Sequence, residues 1–124
     1  MTMTNTLTRR QRLGRFGEDL AVRHLENAGF VVLERNWRSR SGELDIVATD
    51  RTMLLVCEVK TRAGASTGPP EAAVTEEKAY RIRRLAHEWL TEHRMDWTPI
   101  RFDVIAVHAP PGRQPRLKHI EGAF

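Results

Sequence analysis

Two carboxylates and a lysine near the middle of the sequence are the side chains best suited to chemistry. Glu58 and Lys60 lie two positions apart in an apolar run, so on a strand both would leave the same face. Asp45 lies in the run before it, where a hairpin would bring it close. Two carboxylates with waters commonly hold Mg²⁺, and a neighbouring ammonium stabilises charge that develops on phosphorus. The combination favours metal-assisted hydrolysis of a phosphodiester.

The spacing of these residues also predicts how they meet. Residues 43–49 and 53–60 have the pattern of two strands joined by a tight turn. If the turn is centred between Arg51 and Thr52, Asp45 lies directly opposite Glu58, with Cβ atoms about 5 Å apart. At an effective dielectric constant of about 20 the two charges would repel by roughly 3 kcal/mol, so a counter-charge is required. Lys60 is expected to supply one positive charge and a divalent cation the rest. A register shifted by one residue would place Asp45 opposite Cys57 and separate the carboxylates.

A solvated surface cluster is the alternative interpretation of the same spacing. Charged faces with a period of two are usual on antiparallel sheets, and Lys60 would then pair locally with its acidic neighbours. On spacing alone, this plainer interpretation is the more common one. The chemistry therefore depends on which elements surround these residues.

Apolar periodicity predicts two helices that would pack beside the hairpin. The first runs from about Thr8, a candidate N-cap, to Ala28, with Gly29 as its stop signal. The second begins at Thr75 or a few residues earlier and ends near His93. Its expected buried stripe consists of Ile82, Leu85, Ala86, Trp89 and Leu90.

Runs rich in β-branched residues predict the remaining strands. They are expected at Phe30–Leu33, at 100–107 and, as a short edge strand, within 117–124. The polar stretch 36–42 is expected to form a turn or loop. In the first hairpin strand, Leu44, Ile46 and Ala48 are expected on one face. Asp103 is expected to make a structural hydrogen bond or salt bridge within its strand. The order α-β-β-β-α-β indicates one mixed α/β domain.

Length and composition fit a single nuclease-like domain over residues 1–124. Residues 1–8 and 109–116 are expected to be flexible, the latter because of its prolines. No apolar run approaches the roughly 20 residues that cross a bilayer, and the first eight residues lack the apolar core of a signal peptide. The single cysteine, Cys57, suits a reducing compartment. A cytoplasmic protein without a membrane partner is expected.

The charge balance favours a polyanionic partner. Twenty Lys and Arg against sixteen Asp and Glu give a net charge of +4, which points to nucleic acid first and an anionic membrane surface second. Solvated helix faces are the alternative. The candidate nucleic-acid contacts are Arg9, Arg10, Arg12, Arg38, Arg40, Arg62 and Lys78. Trp37, beside Arg38 in the expected loop, is the aromatic residue most suited to contact a base. The five histidines show no metal-ligand spacing.

Two central motifs resemble the bacterial YraN family. They are Gly42-Glu43-Leu44-Asp45-Ile46-Val47-Ala48 and Val56-Cys57-Glu58-Val59-Lys60-Thr61-Arg62. Further matches occur at Gly14, Gly17, Glu18, Asn36, Lys78 and 101–104. That family is similar to the restriction-endonuclease-like superfamily, which includes archaeal Holliday junction resolvases. The resemblance covers about nine-tenths of the chain.

The resemblance implies a restriction-endonuclease-like fold, a three-layer α/β domain with a mixed central sheet flanked by helices. It implies that Asp45, Glu58 and the carbonyl of Val59 bind Mg²⁺ (or Mn²⁺), with Glu18 completing the site and Lys60 orienting the attacking water. The implied activity is divalent-metal-dependent hydrolysis of DNA, with branched or flapped DNA as one expected substrate and a homodimer as one expected assembly. A non-catalytic nucleic-acid-binding module and an accessory protein of a DNA-processing complex remain as alternatives.

Overall fold

The computed structural model describes residues 6–64, 69, 72, 74–95 and 98–124, and contains two helices flanking one sheet. The elements are α1 (Arg9–Asn27), β1 (Val31–Ser39), β2 (Gly42–Thr49), β3 (Leu54–Arg62), α2 (Glu76–Glu92), β4 (Ile100–His108) and β5 (Arg116–Ile120). The strand order is β1-β2-β3-β4-β5, with β3 and β4 parallel and the other neighbours antiparallel. None of the helices in the described part of the chain is long and apolar enough to cross a membrane.

Both helices begin and end close to the predicted positions. Thr8 caps α1 in a reciprocal capping box, because its hydroxyl accepts the Gln11 N–H at 3.1 Å and the Gln11 side chain accepts the Thr8 N–H at 2.9 Å. Gly29 follows the end of α1 with a φ of 96°, a conformation that glycine adopts without strain. Thr75 caps α2 by accepting the Lys78 N–H at 3.2 Å.

The two helices cover opposite faces of the sheet, which makes the domain three layers thick. Ala21 and Leu25 of α1 pack on one face, in a cluster that includes Ile46, Ala48, Leu55, Cys57, Ile105 and Val107. On the other face, α2 buries all five residues of the predicted stripe. The expected three-layer α/β domain with a mixed central sheet is confirmed.

Strand β1 is longer than predicted, and the expected loop at 36–42 is wrong. The strand continues to Ser39, and Ser39 pairs with Gly42 across a short turn. Polar residues are tolerated because β1 is an edge strand with one side open to solvent. Trp37 consequently lies within a strand, half-buried against the α2 side of the core, and not in an exposed loop as predicted.

The expected alternation along β2 is also wrong, because it breaks at Asp45. Leu44 packs on the α2 side of the sheet, whereas Ile46 packs on the α1 side. On the neighbouring strand, Leu44 pairs with Trp37 and Ile46 pairs with Arg35, so the residue between those partners is Asn36. Asn36 has a φ of 52°, a left-handed conformation that asparagine adopts more readily than most residues. The side chains on either side of Asn36 lie toward opposite helices, because Arg35 contacts α1 and Trp37 packs on the α2 side.

Asp103 makes the structural contacts that its sequence position predicted. It is fully buried and accepts hydrogen bonds from Arg101 at 2.9 and 2.8 Å and from the Gly122 N–H at 2.9 Å. His119 lies 2.6 Å from the same carboxylate, and the other ring nitrogen of His119 lies 3.0 Å from His24. This network ties β4, β5 and α1 together at one end of the sheet.

The segments predicted to be flexible differ in what the structure describes. Residues 1–5 lie outside the described residues, whereas Thr8 forms the cap of α1. In 109–116, the Ala109 N–H donates to the Arg62 carbonyl at 2.8 Å, and a turn follows that includes Gly112 with a φ of 72°. Flexibility itself stays a prediction for both segments.

A close approach between α1 and β3 depends on Gly17. A Cβ atom at Gly17 would overlap Oγ1 of Thr61 and lie 2.8 Å from the Thr61 Cβ. Glycine therefore lets α1 sit directly on β3, which sets the height of this helix above the sheet.

We predict that Gly17→Ala destabilises the protein by about 1–3 kcal/mol because the new methyl group must push α1 away from Thr61. Chemical denaturation measures the effect. Gly14→Ala on the same helix is the matched control, because a Cβ atom there would have no described atom within 4 Å apart from its chain neighbours and the backbone of its own helix. The control should stabilise the helix by up to about 1 kcal/mol. Thr61→Ala in the Gly17→Ala background removes two of the clashing atoms and should restore part of the loss. Equal effects of the two glycine substitutions would contradict the contact.

Candidate active site

The register of the β2–β3 hairpin brings the two central carboxylates together. Ile46 pairs with Cys57 and Val47 with Val56; the ladder ends at the first of these pairs, and Asp45 and Glu58 flank it. The Val59 N–H donates to Asp45 Oδ2 at 2.9 Å, and the Asp45 N–H donates to Glu58 Oε2 at 3.5 Å. The predicted register is confirmed, and each carboxylate contacts the backbone of the opposite strand.

Glu58 is held between β2 and α2. Only 8% of the residue is exposed, and Lys78 Nζ lies 3.9 Å from its Oε1. Lys78 occupies the first turn of α2 because Thr75 caps that helix immediately before it. The cation paired with Glu58 is thus Lys78, whereas the sequence assigned this neutralising role to Lys60. Lys60 is exposed and makes no salt bridge within the described part of the chain.

Burial and mutual repulsion raise the pKa values of both carboxyl groups. For Glu58, burial is the largest cause, the Asp45 charge adds to it, and Lys78 offsets part of the rise. For Asp45, burial again raises the pKa most, the Val59 N–H opposes it, and the charges of Glu18 and Glu43 raise the pKa further. The pair carries more negative charge than its surroundings neutralise.

A cavity of about 570 Å³ opens at Asp45 and collects several of the predicted site residues. Its lining includes Glu18, Asn36, Asp45, Val59, Lys60, Arg10 and Arg62. Glu58 does not belong to this lining, because its carboxylate is turned toward Lys78. Residues from α1, β1, β2 and β3 therefore meet at one opening, with Glu58 next to it.

Glu18 is fixed in this cavity by two residues of β1. Its side chain is only 12% exposed and accepts hydrogen bonds from Arg35 Nε and Asn36 Nδ2, both at 2.9 Å. Arg35 also donates to Asp19 at 2.6 Å, which anchors its guanidinium on α1. Sequence reasoning assigned no role to Arg35 and no structural role to Asn36, because both fell at or beside the stretch predicted to be a loop.

The chemistry of the donor set fits a hard divalent cation. Asp45 and Glu58 supply carboxylate oxygens whose charges repel, and Glu18 faces the same cavity as Asp45. The side chains of the described residues form no cluster of three or more His, Cys, Asp or Glu close enough to enclose an ion. The two neighbouring carboxylates are thus the part of the predicted metal site that the fold brings together, with Glu18 held separately by Arg35.

The predicted nucleic-acid contacts divide into two groups. Arg10 and Arg62 line the cavity, and Lys78 lies at Glu58. The others are Arg9, Arg12, Arg38 and Arg40, which lie outside this lining. Arg12 donates to the Leu7 carbonyl at 2.7 Å, and Arg38 pairs with Glu43 at 3.0 Å.

The sequence matches the family described as "Uncharacterised protein family UPF0102" over residues 17–107, a range that contains Glu18, Asp45, Glu58 and Lys60. The chain belongs to the UPF0102 family. A UPF0102 protein of Acidothermus cellulolyticus is 49% identical over 98% of this chain and 100% of its own length. A UPF0102 protein of Parafrankia sp. is 54% identical over 92% of this chain and 97% of its own. The family resemblance indicated by the central motifs is confirmed.

Among solved structures, the chain is similar to that of Archaeoglobus fulgidus Hjc, a Holliday junction resolvase from an archaeal hyperthermophile. The match covers 85% of this chain and 75% of that chain, with a TM-score of 0.47 and 18% sequence identity. A likeness of this degree carries no argument about activity. The UPF0102 site is therefore interpreted from its own residues.

We predict that Glu58→Gln stabilises the metal-free protein at high pH. A carboxyl group whose pKa is raised by folding makes the free energy of unfolding fall as pH rises from the unfolded to the folded pKa. Glu58 should thus contribute progressively less stability from about pH 4.5 upward, and the variant should exceed the wild type by on the order of 1–2 kcal/mol at pH 8. Denaturation with chelator across this pH range measures the difference.

Glu77→Gln is the control for that prediction, because the Glu77 side chain is 88% exposed on α2. It should change stability by no more than a few tenths of a kcal/mol at any pH. A Glu58→Gln protein that is less stable than wild type at pH 8 would show that Glu58 is well neutralised, and would contradict the unbalanced pair.

Proposed function

We propose that this protein hydrolyses phosphodiester bonds in DNA with the help of a divalent cation, Mg²⁺ or Mn²⁺. The observation that carries the proposal is the pair of neighbouring carboxylates, buried Glu58 and half-buried Asp45, beside a cavity that also contains Lys60 and Glu18. Holding two like charges close together costs free energy in the unliganded protein. A bound cation would neutralise them, so a cation-binding site explains why the protein keeps this arrangement.

Asp45 and Glu58 would hold the cation, together with the carbonyl of Val59 and, from α1, Glu18. When bound, such a cation polarises a phosphoryl oxygen and lowers the pKa of a water molecule. The Val59 N–H keeps Asp45 oriented through its 2.9 Å hydrogen bond, and Arg35 with Asn36 keeps Glu18 facing the cavity. These contacts would fix the ligands before the cation arrives.

Two lysines would have different tasks at this site. Lys60 lines the cavity, where its ammonium can lie beside the phosphate and stabilise the negative charge that develops on the phosphorane oxygens. Lys78 pairs with Glu58 and lies outside that lining, so its task is to neutralise Glu58 when no cation is bound.

DNA is the proposed substrate because the net charge of +4 and the arginines at the cavity suit a polyanion. Branched or flapped DNA is the preferred form that we propose, and the cytoplasm is the proposed location. A homodimer would present two such sites. The exposed Val31 and Leu33 on the edge strand β1 are apolar side chains that a second copy could cover.

We predict that Mg²⁺ or Mn²⁺ stabilises the wild type against thermal unfolding and does not stabilise Asp45→Asn. At a cation concentration of about 100 times Kd the gain is about 2.7 kcal/mol, a rise of several degrees in Tm. Each variant is compared with its own chelated form, which removes any effect of the substitution on the metal-free protein. Glu77→Gln, an exposed carboxylate, should respond as wild type does. An unchanged metal response in Asp45→Asn would contradict the ligand assignment.

We predict that the wild type cuts DNA in Mg²⁺ or Mn²⁺ and that Glu58→Gln and Lys60→Met do not. The panel comprises single-stranded, duplex, flapped and four-way junction DNA, and loss of either group should lower the rate at least 100-fold. Lys60→Met should keep the thermal response to metal, which separates the role of Lys60 from that of a ligand. Glu77→Gln, purified identically, reveals any contaminating nuclease because it should cut at the wild-type rate.

The same panel distinguishes the alternative of a non-catalytic binding module. That protein would bind DNA with a strong dependence on salt, indifferent to metal, and cut none of the substrates. An accessory protein would bind DNA weakly until a protein partner is added. Either result from well-folded protein would overturn the proposed hydrolysis.

A further inference from the structure

A second cavity, of about 320 Å³, lies beside the candidate site on the C-terminal half of the sheet. Strands β3, β4 and β5 form it, and it shares Lys60 and Arg62 with the cavity at Asp45. We call it the β5 trough and define it by Lys60, Ala106, His108, Arg116, Leu117 and Lys118. The shared residues make the two cavities neighbours.

The strand register explains why basic side chains gather at this trough. Lys60 pairs with Ala106, and Ala106 in turn pairs with Lys118, so these three residues form one row across the sheet. Directly paired residues share a face, and neighbouring strands lie about 4.8 Å apart, which places the two lysine backbones roughly 10 Å from each other. The small Ala106 between them leaves the depression.

A second row runs parallel to the first. Arg62 pairs with His108, and His108 pairs with Arg116. Arg116 and Lys118 are exposed, and no salt bridge within the described ranges involves either of them or Lys60. Several like charges around one small depression repel each other, and a bound anion would relieve that repulsion.

The floor of the trough is apolar and therefore suited to more than a phosphate. Ala106 lies on the same face as Lys60 and Lys118, and its methyl group and the aliphatic stems of the two lysines supply the apolar surface, whereas Val107 and Leu117 pack on the α1 side of the sheet. A cationic rim over an apolar floor matches a nucleotide, whose phosphate is charged and whose base and sugar present apolar surfaces. A free phosphate would gain nothing from the floor.

We propose that the β5 trough binds the nucleotide next to the phosphate that is presented to Asp45 and Glu58. Lys60, common to both cavities, lies at the boundary between the two positions. Arg116 and Lys118 are then DNA-binding residues that grip the backbone beyond the cleavage site. This proposal rests on the proposed function, which places the cleaved phosphodiester at Asp45 and Glu58. It adds the path that the DNA strand takes over β4 and β5.

Protection against aggregation is the competing explanation for these charges. Lysines on an edge strand such as β5 discourage pairing with another sheet. In that case their removal would leave the affinity for DNA unchanged and would promote self-association. The binding experiment separates the two roles.

Fluorescence anisotropy with a short labelled single strand and a matching duplex, in chelator so that nothing is cut, tests the proposal. Removing two phosphate contacts in Arg116→Ala/Lys118→Ala should weaken binding roughly tenfold or more near 100 mM salt, and lower the slope of log affinity against log salt by about 1.4–1.8. The charge-matched control is Arg23→Ala/Arg84→Ala, two exposed helix arginines that line neither cavity. The control should change the slope by less than half as much. Equal changes in the two double variants would overturn the proposal.

Ala106→Phe tests the seat of the nucleotide without changing charge. A phenyl ring in the trough should weaken binding of both probes several-fold, whereas Ala106→Ser should bind as wild type does. Wild-type affinity in a well-folded Ala106→Phe protein would show that the basic rim attracts DNA without seating a nucleotide, and would overturn the proposed site.

The experiments distinguish an error in the proposed nucleotide site from an error in the proposed hydrolysis. Binding that depends on Arg116 and Lys118, in a protein that cuts no DNA, would support the trough and overturn the proposed hydrolysis. Cutting by an Arg116→Ala/Lys118→Ala protein of unchanged affinity would overturn the trough and support the hydrolysis. A wild type that binds neither probe would overturn the trough.

Discussion

Two neighbouring carboxylates at the end of one hairpin repel each other, so the groups around them must supply positive charge or hydrogen bonds. Asp45 and Glu58 lie close together because β2 and β3 pair in one register, and each is further fixed by a backbone N–H of the other strand. Burial raises the pKa of both, and one lysine 3.9 Å from Glu58 offsets only part of the repulsion. The protein thus keeps a locally unfavourable arrangement, which is typical of sites whose chemistry requires an added cation.

The remainder of the fold explains how such a pair is kept in place. Gly17 lets α1 lie close to β3, which brings Glu18 to the cavity from one side of the sheet. The Thr75 cap starts α2 where Lys78 reaches Glu58 from the other side. Between them, the left-handed conformation of Asn36 breaks the alternation of β1 and β2 next to Asp45. The acidic centre therefore lies where the two layers of helices and the sheet meet.

Basic residues are distributed around this centre in a way that complements it. Arg10 and Arg62 line the site cavity, while Arg116 and Lys118 extend the positive surface across β5. A polyanion lying over this surface would pass from the basic trough to the acidic pair, with Lys60 at the boundary. The basic residues would attract the DNA phosphates, and Asp45 with Glu58 would repel them until a cation is bound. These two effects together would decide where the DNA backbone is held.

The sequence by itself determined both helices and the two strands of the hairpin, because these follow from local periodicity and capping residues. It left two registers open for the hairpin, and the structure has the one that brings Asp45 to Glu58. It failed at the extent of β1 and at the faces of β2, where pairing at a solvent-exposed edge and one left-handed residue outweigh local pattern. Only the tertiary structure decided that Lys78 neutralises Glu58, that Arg35 and Asn36 hold Glu18, and that Lys60 and Lys118 share one row. These contacts join residues far apart in the chain, and their geometry is set by how the layers pack.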